Sequence, residues 1–415
     1  MLKGTLIPKY MNDFQCIGGA CEDTCCSGWM ITIDKKTYKK YQKIKEPKLK
    51  SNIQENVKRI KKNNMKSEEL YARFLMGQNG CCSMLTDDKW CQIQKELGEE
   101  HLSVTCTSYP RNLNKVDGIY ELSARVSCPE VARLALLEPN GIEFDELDFD
   151  INPIWPVYKN QDSESSTRIR QLFWPIRMLA IEILQTRRIQ LGDRMVIMGM
   201  FVNSMQANIN EKNGVDLERI IDTYRENLTD SEYLASVKGL KTNLDMQLQV
   251  LFELIKYRTE LGIDSSRYLI TREEMLEGLG QQGDESNFEL FKRNYEMNFS
   301  EFYSPYMKST EYILENYTVN LFFNLLFPNT DGSNNSLFDE YVTIAMLYAL
   351  LKVHLVGIAG KHQGLDDELV IRTIQSYAKA MEHNNFYIKS ILENLKSNNY
   401  YSLAHATILV KDLSI

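Results

Sequence analysis

Beyond about Ser166 the chain carries apolar residues at helical spacing. Ile176, Leu179, Ala180 and Ile183 form one stripe, and Leu244, Leu248, Leu251 and Ile255 form another. Residues three and four apart share one helix face, so each stripe predicts an amphipathic helix with its apolar side in a core. Asp339–Leu351 is apolar nearly all round after its acidic start, which predicts a buried central helix. Breaks fall at 262–268 and 329–336, the latter rich in Asn, Gly and Ser.

The first third reads differently. It is irregular up to Cys26, with a strand-like run over Trp29–Ile33 and a helix opened by Asp34 that puts Tyr38 and Tyr41 on one face. Residues 52–76 read as one or two helices, Gly77–Gly80 as a turn delivering Cys81 and Cys82, and Lys89–Leu97 as a short helix. Tyr109-Pro110-Arg111 ends an element. Residues 120–126 alternate as a strand, with Tyr120, Leu122, Ala124 and Val126 on one face and Glu121, Ser123 and Arg125 on the other. Pro129 behind Cys128 is suited to the first position of a helix running to Leu137. Residues 138–165 are acidic and carry Pro139, Pro153 and Pro156, which reads as a loop-like linker. The expected fold is therefore mainly α, with a cysteine-rich, metal- or cluster-binding region over 1–137 that contains a few short strands, a linker over 138–165 and a helical domain over 166–415. No glycine-rich G-x-G-x-x-G follows a predicted strand, and Gly357–His362 lacks the spacing of a phosphate loop, so a Rossmann fold is not expected.

Composition and charge narrow the class. The 415 residues carry a net charge of −8, which argues against non-specific nucleic-acid binding. Between Lys35 and Lys66 stand twelve lysines and Arg59 against Glu46 and Glu55, either a solvated face or a docking surface for an acidic partner. The N-terminus has no apolar h-region, and the most apolar stretches, near Met195–Val202 and Tyr341–Leu351, fall short of the roughly 18–20 residues of a membrane span. A soluble, cytoplasmic protein with no membrane insertion is expected. The oligomeric state is not legible.

All nine cysteines lie within the first 128 residues, and Cys16, Cys21, Cys25 and Cys26 fall within eleven. In a reducing compartment such clustering favours metal ligation over disulfides, and the odd count with two vicinal pairs, Cys25–Cys26 and Cys81–Cys82, agrees. Gly18-Gly19 allows the backbone to fold back so that thiolates converge. With His101 the one histidine of this region, the donors are all sulfur, which suits zinc or iron–sulfur chemistry alike. Nine thiols exceed one tetrahedral zinc site, so two sites or one cluster with structural cysteines are both open. A radical S-adenosylmethionine motif is not met, because position 28 is glycine.

Phe14–Trp29 followed by Ile33-Asp34 resembles the opening of the flagellin lysine N-methylase family (FliB-type). Cys82-Ser-Met-Leu85, Cys91–Glu99, Cys106–Arg111 and Ser127–Glu130 resemble its later blocks. So do Phe338–Tyr341, Lys352–Leu355 and Glu382–Asn384, so the resemblance runs over essentially the whole chain. It implies ligands among Cys16, Cys21, Cys25, Cys26, Cys82, Cys91 and Cys106, with Cys128 a further candidate and Cys81 a spare. It also implies an iron–sulfur cluster (4Fe–4S, with zinc as the alternative), S-adenosylmethionine as methyl donor and a flagellin lysine as acceptor.

Methyl transfer needs a neutral amine aligned with a sulfonium, and aromatic faces suit that cation. Tyr109, Arg111 and His383 are the candidate catalytic residues, with His354 and His362 weighed beside them. For His354, on an apolar helix, the competing reading is a satisfied core histidine. The alternative to a protein-lysine methyltransferase is a non-enzymatic, metal-binding scaffold of the flagellar system. A thiol redox sensor is a third reading.

Overall fold

A computed structural model describes residues 4–60, 70–77, 80–162, 168–209, 216–263, 265–281, 287–329 and 336–413. Lys61, Lys62, Lys66, the middle of the Gly77–Gly80 turn and most of the 329–336 break lie outside the described residues.

The protein is mainly helical, with strands β1 (Thr5–Pro8), β2 (Thr32–Ile33), β3 (Val57–Arg59), β4 (Ala72–Phe74), β5 (Arg111–Val116), β6 (Ile119–Ala124), β7 (Phe144–Leu147) and β8 (Val157–Gln161). One sheet has the order β7-β1-β6-β5-β8 and is mixed: β1 lies parallel to β6 and β5 parallel to β8, while β5 and β6 form an antiparallel hairpin. That hairpin closes through Asp117-Gly118, both at positive φ, the dipeptide that two-residue hairpin turns favour. The second sheet, β2-β4-β3, is small and antiparallel.

Two expectations are corrected here. The 138–165 stretch supplies β7 and β8, the two edge strands, where a loop-like linker was expected. The acidic Phe144–Leu147 and the Val157–Gln161 run behind Pro156 become strands only by pairing with β1 and β5. Residues 57–76, expected as helix, contain β3 and β4 where they are described. Ala72 and Phe74 point inward with Arg73 outward, a two-residue period.

The anticipated β6 strand is present, but its polar face is buried too. Glu121 and Ser123 are inaccessible because helix Tyr312–Asn324 and Arg177 cover them: Ser123 Oγ donates to Asn324 Oδ1 at 2.5 Å, and Arg177 pairs with Glu121 at 3.1 Å. Sheet and helices thus share one large apolar core, from Ile7 and Leu122 through to Leu409. At its centre runs Leu337–His362, opened by a capping box in which Ser336 and Asp339 bond each other's backbone amides at 3.1 and 2.8 Å. This helix is longer than the apolar stretch read from the sequence. By length and composition it could cross a membrane, with a mean hydropathy of 1.9 over its best window, yet 94% of that window is buried inside the protein. It is the hub of the core.

A second core, built on Ile31, Ile33, Tyr41, Leu49, Phe74 and Met84, belongs to the thiol-bearing lobe. Helices Lys35–Tyr41 and Pro47–Asn56 bury Tyr41, Leu49 and Ile53 in it, and Asp34 caps the first by accepting from Thr37 N at 2.8 Å. Lys36, Lys39, Lys40, Lys43 and Lys45 stand on the exposed side, as a solvated face requires.

Candidate functional site

After β1 the chain enters the Cys16–Cys26 loop and turns back at Gly18–Ala20, where Cys21 N donates to Gly18 O at 3.1 Å. Gly18 has φ +57°, and a Cβ there would fall 2.4 Å from the Trp90 ring, so only glycine lets that indole lie on the loop.

The sulfurs gather at the edge of the small core. Cys82 is buried in it, and Cys26, Cys91 and Cys106 pack against it. Cys82 N donates to Cys26 O at 2.6 Å, and Cys25 is hydrogen-bonded to Cys26. Cys25 is also the common electrostatic neighbour of Cys21, Cys82, Cys91, Cys106 and Cys128. Cys16 stands apart, exposed, beside the Arg111 guanidinium. Burial pushes the Cys82 and Cys128 thiols up to about 12 and raises Cys106 further, with neighbouring thiols adding to each. Each sulfur therefore disfavours charge on the next, and they ionise together only around a shared cation. In chemistry the donor set fits a thiolate-ligated group. In spacing, no three His, Cys, Asp or Glu side chains among the described residues are grouped tightly enough to hold a single metal ion.

The same loop is clamped to the helical body. Lys379, on helix Asp367–Met381, donates to both Asp23 carboxylate oxygens at 2.9 Å and to Thr24 O at 3.0 Å. Gln375 Nε2 donates to Asp23 Oδ2 at 2.8 Å and to Ser127 O at 2.7 Å. Both charges are buried, so each depends on the other.

Two of the three candidate catalytic residues meet beside this clamp. Ser127 Oγ shares hydrogen bonds with His383 Nε2 at 2.8 Å and with the Tyr109 hydroxyl at 3.1 Å. Trp29 joins them: its ring stacks on His383 at 6.1 Å and lies 5.4 Å from Tyr109, while its Nε1 donates to Cys25 O at 2.8 Å. Burial, with Arg125 and Lys379 nearby, lowers His383 to about 3, and burial raises the Tyr109 phenol well above its ordinary range. Both side chains are neutral at neutral pH. Arg111 is separate from this trio, held between the rings of Phe14 at 5.2 Å and Trp155 at 4.9 Å. His354 is a satisfied core residue, bonded to the Tyr268 hydroxyl at 2.9 Å and to Leu350 O at 2.7 Å. His362 lies against Glu274 at 3.3 Å. Asp23, Trp29, Ser127, Gln375 and Lys379 escaped the sequence reading as site residues. Trp29 and Ser127 sit inside recognisable cysteine blocks, but nothing in the local sequence of Gln375 or Lys379 marks them.

The C-terminal domain of FliB lysine N-methylases matches residues 177–409, more than half of the chain. The flagellar biosynthetic protein FliU of Salmonella muenchen is 37% identical over 139 residues, which is 34% of this chain and 80% of FliU. The lysine-N-methylases of Salmonella choleraesuis and Salmonella typhimurium are each 34% identical over 155 residues, 36% of this chain and 38% of theirs. The match thus spans less than half the length of these two relatives. No solved structure matches.

Proposed function

The chain belongs to the FliB lysine N-methylase family, and we propose on that premise that it transfers methyl groups from S-adenosylmethionine to lysine side chains of flagellin in the cytoplasm. The proposal includes an iron–sulfur cluster held by thiols around Cys25. The observation that carries it is the convergence of Cys21, Cys26, Cys82, Cys91, Cys106 and Cys128 on Cys25, directly against the Trp29–Tyr109–His383 group. A four-iron cluster takes thiolates spread around it, and the lobe carries more thiols than the four one tetrahedral zinc uses. Cys26, Cys82, Cys91 and Cys106 are the best-placed holders, with Cys25, Cys21 and Cys128 beside them and Cys16 at the rim. When bound there, the cluster would supply a Lewis-acidic centre next to the methyl donor.

The protein's own groups account for the rest of the reading. The rings of Trp29 and Tyr109 offer aromatic faces to a sulfonium cation. The Asp23–Lys379 pair keeps the loop and these rings in register with the helical body. A histidine that stays neutral down to about pH 3 is a poor acceptor of an ammonium proton, so His383 serves to position Ser127 and Tyr109. Anaerobic purification with iron, sulfide and zinc analysis tests the cofactor, with S-adenosylmethionine titrated while the absorption spectrum is followed. About four iron and four sulfide per chain with a spectrum that responds supports the reading. Stoichiometric zinc, no iron and no response would reduce the thiol lobe to a structural staple.

A further inference from the structure

With His383 unsuited to the proton, the residue before it takes on meaning. Glu382 is 9% exposed; its Oε1 meets no partner in full hydrogen-bond geometry, and the Tyr317 hydroxyl lies against the carboxyl. It lines a cavity of about 160 Å³ whose walls include Leu321, Phe327, Ile344 and Leu347. The cavity reaches an exposed rim at Asn385, beside Phe386, which is 65% exposed. Its volume lies well below the roughly 300 Å³ at which pockets begin to hold a drug-sized ligand, so it does not take a whole nucleoside. A small pocket that sets apolar walls beside a buried carboxyl suits a chain of methylenes carrying an amine.

The other charged groups of the lining are engaged. Lys159 Nζ donates to Leu325 O at 2.7 Å, Arg125 donates to Asn112 Oδ1 at 3.2 Å, and Glu340 accepts from Asn329 N at 2.8 Å. Two cations face two carboxylates in this lining, so one further ammonium meets no net positive wall.

We propose that this cavity receives the side chain of the acceptor lysine and that Glu382 is the catalytic residue that takes its proton. The inference rests on the lysine-methylation reading and adds the acceptor site to it. In the step, an N–H bond of the lysine ammonium breaks and its proton passes to a Glu382 oxygen, leaving the lone pair on nitrogen. That pair then forms the N–CH₃ bond as the CH₃–S⁺ bond of the sulfonium donor breaks, with its electrons returning to sulfur as a neutral thioether. Burial raises the Glu382 carboxyl above its ordinary range, against the pull of Arg125 and Tyr317, and this makes it a better proton acceptor than an exposed carboxylate.

The test uses the full chain and n-butylamine as probe. Butylammonium binding, followed by its NMR line broadening without donor, is expected in the wild type, at least tenfold weaker in Glu382→Gln and absent in Ile388→Trp, which fills the cavity from the rim. Methyl transfer to flagellin is expected to fall about 100-fold in Glu382→Gln, within the range of lost general-base catalysis. Wild-type binding that both variants retain would overturn the pocket, and so would flagellin methylation unchanged in Ile388→Trp. Probe binding that needs Glu382 in a protein that methylates no flagellin would uphold the pocket and sink the proposed function instead. Matching thermal melts for the variants exclude misfolding as the cause.

Discussion

Leu351 in the central helix and Phe74 in the thiol lobe are both buried, but in cores of different kinds. Leu351 belongs to an apolar mass that takes in the five-stranded sheet and almost every helix beyond residue 168. Phe74 belongs to a cluster of a dozen buried residues, one of them Cys82, on strands of two or three residues and helices of no more than ten. A core that small is marginal unless something else staples it. Convergent thiols are the means available, so the lobe would draw from a ligated group what the body draws from apolar burial. The two meet at Asp23–Lys379 and at the Trp29–Tyr109–His383 group, where chemistry that needs both would be placed.

The sharpest break of this contrast is removal of the group proposed to be held by the thiols. Cys106→Ser, or prolonged chelation, is expected to open the lobe to proteolysis at β3 and β4, leave the helical circular dichroism of the body largely in place and cut methyl transfer by more than 100-fold. Co-operative loss of both regions together would show that the lobe is not separately stapled. Next in size is Lys379→Met, which leaves the buried Asp23 carboxylate without its charge partner and is expected to cost about 3–5 kcal/mol in denaturant titration. Leu351→Ala should cost the body about 2–5 kcal/mol, and Phe74→Ala should destabilise the lobe alone, seen as faster amide exchange there than in the body.

How far the sequence foretells this arrangement differs between the regions. The central helix is legible because Asp339–Leu351 is apolar nearly all round, and the Pro129–Leu136 helix because proline sits at its start. β7 and β8 are not, because only pairing with β1 and β5 makes strands of Phe144–Leu147 and Val157–Gln161. The polar face of β6 reads as solvent-facing because Arg177 and Asn324, which cover it, are distant in sequence. At the site, the cysteine spacing marks the lobe, and Tyr109 and His383 do come together. Gln375, Lys379 and Glu382 become visible only when the helix Asp367–Met381 and the turn after it are laid against the thiol loop and the sheet.

A smaller effect sharpens the site itself. His383 is held at about 3 in the folded protein against about 6.5 unfolded. The unfolded chain therefore binds the extra proton first, so this group's contribution is fully present above about pH 6.5 and is lost as pH falls from there toward 3. His383→Asn is expected to flatten the fall in stability between pH 7 and 4, measured by urea midpoints, and to leave no inflection near pH 6.5 missing from the methyl-transfer profile. Smallest of all, Lys36→Gln or Lys43→Gln on the solvated face should change stability by no more than about 0.5 kcal/mol.

The central claim is methyl transfer that depends on the thiol lobe. It is tested most directly by incubating the anaerobically purified full chain with methyl-labelled S-adenosylmethionine and flagellin, beside Cys106→Ser under the same conditions. Label on flagellin lysines with the wild type, reduced more than 100-fold in the variant, is the predicted result. No label with the wild type, or equal label with both, would contradict it.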